Sequence, residues 1–233
     1  MERNKRGTGR EALAFLKDLR DHNHREWFQE NKGRYEPLRK WFTEAVEDLL
    51  GRLAVVDDRL RGMGARSCIY RINRDIRFSP DKTLYKTHFG AYMAYGGRKS
   101  PFAGYYLHIE PGNCMVSGGL WMPEPKLLKA VRKDIYERGE EFASIVEDPS
   151  FKQFFPCIEG EQLKVMPQGY PKDCPYGEYL RYKSFCVDHS LPDSFFTKAN
   201  WIDESLSLFS RLLPFTSFLN ETVDDLYFSE SQA

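Results

Sequence analysis

Two hydrophobic periods share this chain, and their order decides what it can fold into. Apolar residues return every three or four positions between residues 8 and 55, then alternate with polar ones between 66 and 121. Beyond residue 124 the helical spacing comes back, interrupted by an irregular stretch. Helices, then adjacent strands with short connections, then helices again specify an α+β chain rather than βαβ units. The expected architecture is a central, mainly antiparallel sheet from the middle third, packed by N-terminal and C-terminal helices. No internal repeat or linker breaks the sequence, so 1–233 is expected to be a single domain. Its parts are a helical segment at 8–55, the sheet at 66–121, and helices with an irregular segment and a short strand at 124–233.

Local signals place the elements. Thr8 with Glu11 is a capping-box pattern ahead of Leu13, Leu16 and Leu19. Asn23 with Glu26 repeats it for a short helix carrying Trp27 and Phe28. A third helix is expected from about Tyr35 to Leu53, burying Leu38, Phe42, Ala45, Val46, Leu49 and Leu53. Strands are expected at 68–78, 87–95, 103–110 and 114–121, the last two joined at Pro111-Gly112-Asn113. Helices follow at about 125–136 and 139–147, a short strand at 184–187, and a final helix at roughly 200–213. That helix is expected to turn Ile202, Leu206, Phe209 and Leu213 inward. The ends, Met1–Gly7 and about Phe228–Ala233, are expected to be disordered.

Composition excludes some functions. Five cysteines at wide spacing contain no C-x-x-C pair, so they read as small buried hydrophobes in a reducing compartment. The N-terminus lacks an apolar secretory region and no apolar run approaches a membrane span, so a cytoplasmic protein without membrane partners is expected. Phosphate-loop, dinucleotide-binding, nucleophile-elbow and zinc-helix motifs are missing. No cofactor and no metal are expected. His22 and His24 sit at a helix start and read as surface or capping residues, and Asp173 and Glu178 do not form a carboxylate pair.

Charge points to one segment. The net charge is zero, yet nine Lys/Arg against Asp75 and Asp81 give 61–99 a net of +7. Within it, residues 69–88 read I-Y-R-I-N-R-D-I-R-F-S-P-D-K-T-L-Y-K-T-H. As a strand, this puts Arg71, Asn73, Asp75 and Arg77 on one face and Tyr70, Ile72 and Ile76 on the other. Arg74 then falls on the apolar face, where an unpaired guanidinium would cost several kcal/mol. Asp75, Asp81 and the acidic C-terminal segment are its candidate partners. Ser79-Pro80-Asp81 turns the chain toward Lys82, Lys86 and His88. Arg forks, Lys point charges, Asn and His together are the inventory of an anion pocket. The plainer alternative is an Arg–Asp network that locks a strand–turn–strand unit.

The following hairpin adds chemistry. Tyr105, Leu107 and Ile109 alternate with Tyr106, His108 and Glu110, which share a polar face. If that face adjoins Arg71, Asn73 and Arg77, His108 is the general acid–base candidate and Tyr106 its orienting partner.

Several of these stretches carry a resemblance. N-H-R-E-W-F (23–28), R-I-N-R-D-I-R-F-S-P-D-K-T-L-Y-K-T-H (71–88), G-Y-Y-L-H-I-E-P-G (104–112) and G-G-L-W-M-P-E (118–124) are similar, in order, to an uncharacterised family of bacteria and some fungi. So are L-K-V-M-P-Q-G-Y (163–170) and Y-K-S-F (182–185), and the likeness covers nearly the whole chain. The family's pattern includes Arg71, Asn73, Arg74, Asp75, Arg77, Lys82, Tyr85, Lys86, Tyr106, His108, Trp121 and Lys183, which adds Lys183 to the candidate binding residues. Thr83-Leu84 departs from the family's small residue and Pro, altering a turn without removing a charge. The resemblance implies one compact domain and no particular activity, substrate or cofactor.

Three functions stay open at this point. One is an enzyme acting on a phosphorylated or carboxylated small molecule held by the Arg/Lys cluster. Another is a non-catalytic module for nucleic acid or a phosphorylated partner, with Tyr70, Tyr85, Tyr92, Tyr95, Tyr105 and Tyr106 as exposed stacking candidates. Zero net charge speaks against a broad nucleic-acid footprint. The third is a purely structural charge network, with function at an interface for which Trp41 is the cue. The oligomeric state is not legible.

Overall fold

A computed structural model describes residues 8–227. The two ends expected to be disordered lie outside the described residues. Thr8 caps the first helix, α1 (Gly9–Asp21): its hydroxyl oxygen accepts from the Glu11 amide. The Thr8 hydroxyl also donates to a Glu11 carboxylate oxygen at 3.1 Å, so the cap forms where the sequence places it. The second helix, α2 (Arg25–Glu30), starts differently. His24, not Asn23, is its N-cap, accepting from the Trp27 amide through Nδ1. His22 stacks on Trp27, so both histidines serve the helix start.

Helix α3 (Lys32–Leu53) buries all six stripe residues named above. A short α4 (Ala65–Cys68) leads to the strands β1 (Phe89–Met93), β2 (Gly104–Ile109) and β3 (Cys114–Leu120). Then come α5 (Pro125–Glu137), burying Leu127, Val131 and Ile135, and α6 (Gly139–Val146). One-turn helices α7 (Pro149–Lys152) and α8 (Gly177–Leu180) flank β4 (Ile158–Glu159). The chain continues through β5 (Phe185–Leu191), α9 (Trp201–Arg211) and α10 (Leu213–Tyr227).

The chain is an α+β fold with a five-stranded antiparallel sheet in the order β1-β2-β3-β5-β4. Two of these strands come from beyond the middle third, and Ile158 and Glu159 pair with Val187 and Cys186.

Residues 68–78 are not a strand. Only isolated bridges occur there, Ile69 with Ala91 and Asn73 with Tyr85. The alternation nevertheless survives as exposure: Arg71, Asn73, Asp75 and Arg77 are exposed and Ile72 is buried. The final helix is really two, because α10 runs fifteen residues beyond a break at Leu212. Within α9 the buried face is Trp201, Ser205, Leu208 and Phe209, so Ile202 and Leu206 lie partly exposed. Leu213, the last of the four, is partly exposed as well.

Contacts group the described chain into two compact units. The first takes 8–98, 106–116 and 190–207, and the second 99–105, 117–189 and 208–227. An aromatic series runs through the core of the first. Phe28 stacks on Tyr85 at 4.1 Å, and Phe89 stacks on Phe42 at 5.2 Å and Tyr35 at 6.2 Å. Each such pair contributes about 0.5–1.5 kcal/mol beyond its buried area. Trp41 belongs to this unit and packs on Trp201 at 5.7 Å, so it is no free interface cue.

In the second unit Phe142 meets Tyr179, Phe185, Phe215 and Phe218. Buried Asn220 pairs with the backbone of Ala103, accepting from its N–H at 2.8 Å and donating to its carbonyl at 3.1 Å. Gly119 has φ +123°, and a Cβ there would sit 1.9 Å from the Phe185 carbonyl oxygen, so only glycine fits. All five cysteines are free thiols; Cys68, Cys114 and Cys186 are buried, whereas Cys157 is exposed.

Candidate functional site

The first unit holds two adjoining groups of polar side chains, and strand geometry explains one of them. On β2 and just past its end, Tyr106, His108 and Glu110 continue one alternate series, and their side chains meet. Tyr106 Oη lies 2.7 Å from His108 Nδ1, and His108 Nε2 lies 3.2 Å from a Glu110 carboxylate oxygen. The other Glu110 oxygen accepts from the Thr87 hydroxyl at 2.6 Å, and Asn113 Nδ2 donates to the first at 3.1 Å. His108 is 7% exposed. Burial pushes the Glu110 carboxyl up, but the hydrogen bonds from Thr87, Asn113 and His108 outweigh it and hold the pKa below the ordinary value.

His88, just ahead of the neighbouring strand β1, brings its ring to 4.4 Å from that of His108. Among the described residues its ring nitrogens have no hydrogen-bond partner. Burial, then the neighbouring His108, lowers its pKa to about 4, so the imidazole is neutral at neutral pH. Gly90 leaves room for this arrangement, since a Cβ there would stand 3.0 Å from Tyr106 Oη.

The second group surrounds Lys86. Its ammonium sits 4.7 Å above the Tyr70 ring, and Tyr70 meets Tyr106 edge to face at 6.3 Å. Burial and then Arg71, Arg98 and Arg74 lower the Lys86 pKa. Among the described residues no carboxylate pairs with Lys86 or with Arg71. Arg98 donates to the Ser67 carbonyl at 3.0 Å and to that of Arg66. Sequence reasoning missed Arg98, which lies ten residues past the motif. Its only signal was the net positive charge of 61–99.

The remaining candidates are spent locally. Arg74 binds Asp81 and the Thr83 hydroxyl, so the sequence-named Asp81 is indeed its partner. The Thr83 amide and then Arg74 hold the Asp81 pKa at about 2. Arg77 forks onto Asp75, at 3.0 and 2.7 Å, and lowers that carboxyl likewise to about 2. Lys82 donates to the Ile76 carbonyl. Asn73 contributes its backbone to the bridge with Tyr85. Lys183 belongs to the second unit, where it pairs with Glu161 at 2.6 Å.

Of the Arg71–Asn73–Arg77 face, Arg77 is thus spent on Asp75 and Asn73 on the bridge with Tyr85. Lys86 and His88, at the end of the segment, are what approach the β2 group.

Asn23, released from capping, holds the segment in place. Its side chain donates to the Tyr85 carbonyl and accepts from the Tyr85 amide, each at 2.9 Å. Backbone bonds from Arg74 to Leu84 and from Lys86 to Ile72 complete the closure. Tyr85 and Tyr105 are buried, which removes them as stacking platforms. At the segment's tip Phe78 is 94% exposed, with the Arg77 guanidinium 5.9 Å from its ring centre.

A family model described as "Conserved hypothetical protein (DUF2461)" matches residues 11–218. Searches of curated proteins and of solved structures returned no match to the chain.

Proposed function

The chain belongs to the DUF2461 family, and we propose that its first unit holds a small phosphorylated or carboxylated molecule at Lys86, Arg71 and Arg98. One observation carries this reading: Lys86 is half-buried, the guanidinium groups of Arg71, Arg98 and Arg74 act on it, and among the described residues no carboxylate pairs with it. Desolvating a cation beside like charges is costly, and a bound anion offsets that cost. Arg71 supplies a further fork, which forms no ion pair among the described residues although its field reaches Asp75, and a fork suits two anionic oxygens. Arg74 lies close enough to add its field while staying tied to Asp81. The Tyr106–His108–Glu110 chain beside the cations favours an enzyme over a passive receptor, because it sets polar groups of defined orientation next to the anion.

The test is calorimetric titration of the full chain with inorganic phosphate at low and high salt. Saturable binding is expected, weakening at least ~10-fold in Lys86→Met, the loss of one charge-assisted contact of about 1.5–3 kcal/mol. Unchanged affinity in that variant would overturn the reading. Lys86→Met is also expected to raise the unfolding midpoint in phosphate-free buffer, since it removes an unpaired half-buried charge.

Exposed Phe78 beside Arg77 supports a second reading, in which the segment's tip stacks on a nucleic-acid base. Binding of a short single-stranded oligonucleotide that Phe78→Ala abolishes and Lys86→Met spares would favour it over the small anion.

A further inference from the structure

We infer that His88, His108 and Glu110 form a binding site for a first-row divalent metal ion such as Zn2+. The three residues offer two imidazole nitrogens and a carboxylate oxygen, and one ligand atom of each lies within 4.8 Å of the others. An ion about 2.1 Å from each donor sets neighbouring donors roughly 3–3.5 Å apart. His108 Nε2 and Glu110 already stand at 3.2 Å. His88 is the donor that must close the remaining gap. No hydrogen bond ties its ring among the described residues, so closing the gap breaks none.

The surroundings match what such ligands need. A metal-bound imidazole turns its second nitrogen to a partner that fixes the ring, and His108 Nδ1 does so toward Tyr106 Oη at 2.7 Å. A ligating carboxylate is likewise held by further bonds, and Glu110 has Thr87 and Asn113. One donor comes from β2, the second from the residue that follows it and the third from the residue preceding the adjacent strand, so the backbone under them is braced. Two nitrogens and one oxygen suit zinc or iron rather than magnesium or calcium, which prefer all-oxygen shells.

Three protein ligands leave a coordination position for water or a substrate atom, the arrangement of catalytic rather than structural sites. The inference stands on these contacts alone and does not need the anion reading. If both hold, the open position belongs to an oxygen of the anion that Lys86 attracts.

The experiment uses the full chain, stripped with chelator and titrated calorimetrically with Zn2+, then with Co2+ followed by visible absorption. One ion per chain is expected, with ligand-field bands from Co2+ and broadening of the His88 and His108 ring resonances in NMR spectra. His88→Ala, at a half-buried position without hydrogen bonds, is expected to lower affinity at least ~10-fold while keeping its circular dichroism. Glu110→Gln is expected to do the same. A folded wild-type chain without a saturable site overturns the inference. So does equal affinity in His88→Ala, or Co2+ that leaves both ring signals unbroadened, and the last readout requires no variant. The two readings fail separately when each ligand is titrated alone into the chelator-stripped chain: Lys86→Met loses phosphate and keeps Zn2+, and His88→Ala loses Zn2+ and keeps phosphate.

Discussion

Strand β2 and the segment 71–86 carry the same alternation of polar and apolar residues, yet they became different structures. On β2 the polar positions are drawn together, and Tyr106, His108 and Glu110 bond to one another along a single face. In 71–86 three of the charges are answered by a neighbour a few residues away: Arg77 by Asp75, Arg74 by Asp81, Lys82 by Ile76. The difference is the company each segment keeps. β2 lies between β1 and β3 and gets its ladder from both sides. The 71–86 segment closes mainly on itself, and Asn23 holds its far arm at Tyr85. A period of two thus does not by itself create a strand; continuous pairing with a neighbour does. Polar residues on a paired strand can cooperate at one site, whereas most of those on a self-closing loop are spent on one another.

Substitution at the two places measures that contrast. His108→Ala is expected to cost about 3 kcal/mol in denaturant unfolding, because it empties a buried position and strips Glu110 and Tyr106 of a partner. Arg77→Ala, which breaks an exposed pair, should stay within about 0.5 kcal/mol. A comparable loss in both would erase the distinction drawn above.

Asn23→Ala removes two hydrogen bonds to one backbone residue and is expected to cost about 1–2 kcal/mol. Hydrogen exchange should then quicken at the Tyr85 amide and through 71–86 while β2 stays protected. If β2 loosens equally, the segment is more deeply integrated than its bonds suggest.

Acid gives the gentlest probe. The Asp75 and Asp81 carboxyls are held at about 2, below the ordinary 3.8. A carboxyl with a depressed folded pKa lends stability that is present above its unfolded value and lost as pH falls through the folded one. Loop amides are therefore expected to loosen between about pH 4 and pH 2, ahead of global unfolding, in exchange or limited proteolysis with an acid protease. No such step in that window would mean the Arg–Asp pairs leave the loop's order unchanged.

Much of this was legible beforehand. The helix stripes of α3 and α5 stood out because packing and periodicity agree there, and the β2 face did because alternation needs only a strand to be realised. Arg74's need for a partner followed from its place on the apolar face, and Asp81 was one of three candidates for it. Other features were hidden for physical reasons. Asn23 looked like a cap because Asn and His both accept from helix amides, and local sequence cannot say which one a distant backbone will claim. His88 came near His108 through the neighbouring of β1 and β2, and strand neighbours are set by the whole sheet. For the same reason the grouping of His88, His108 and Glu110 has no linear motif, and a sequence reading expects no metal. Lys183 entered only through the family pattern, and nothing in its own surroundings marks it.

The piecewise makeup of the first unit has a consequence for synthesis. Its residues arrive in three instalments, the last at 190–207, and α1 packs against the turn at Asp193–Thr197 so closely that a Cβ on Gly9 would overlap the Phe196 carbonyl. A ribosome delivers the first helix long before its partner exists. The nascent chain must therefore keep the apolar flank of α1 in solution, or under a chaperone, until some 190 further residues have followed. Completion of this unit is a late event in translation, and the side chains of β2 acquire their final setting only then.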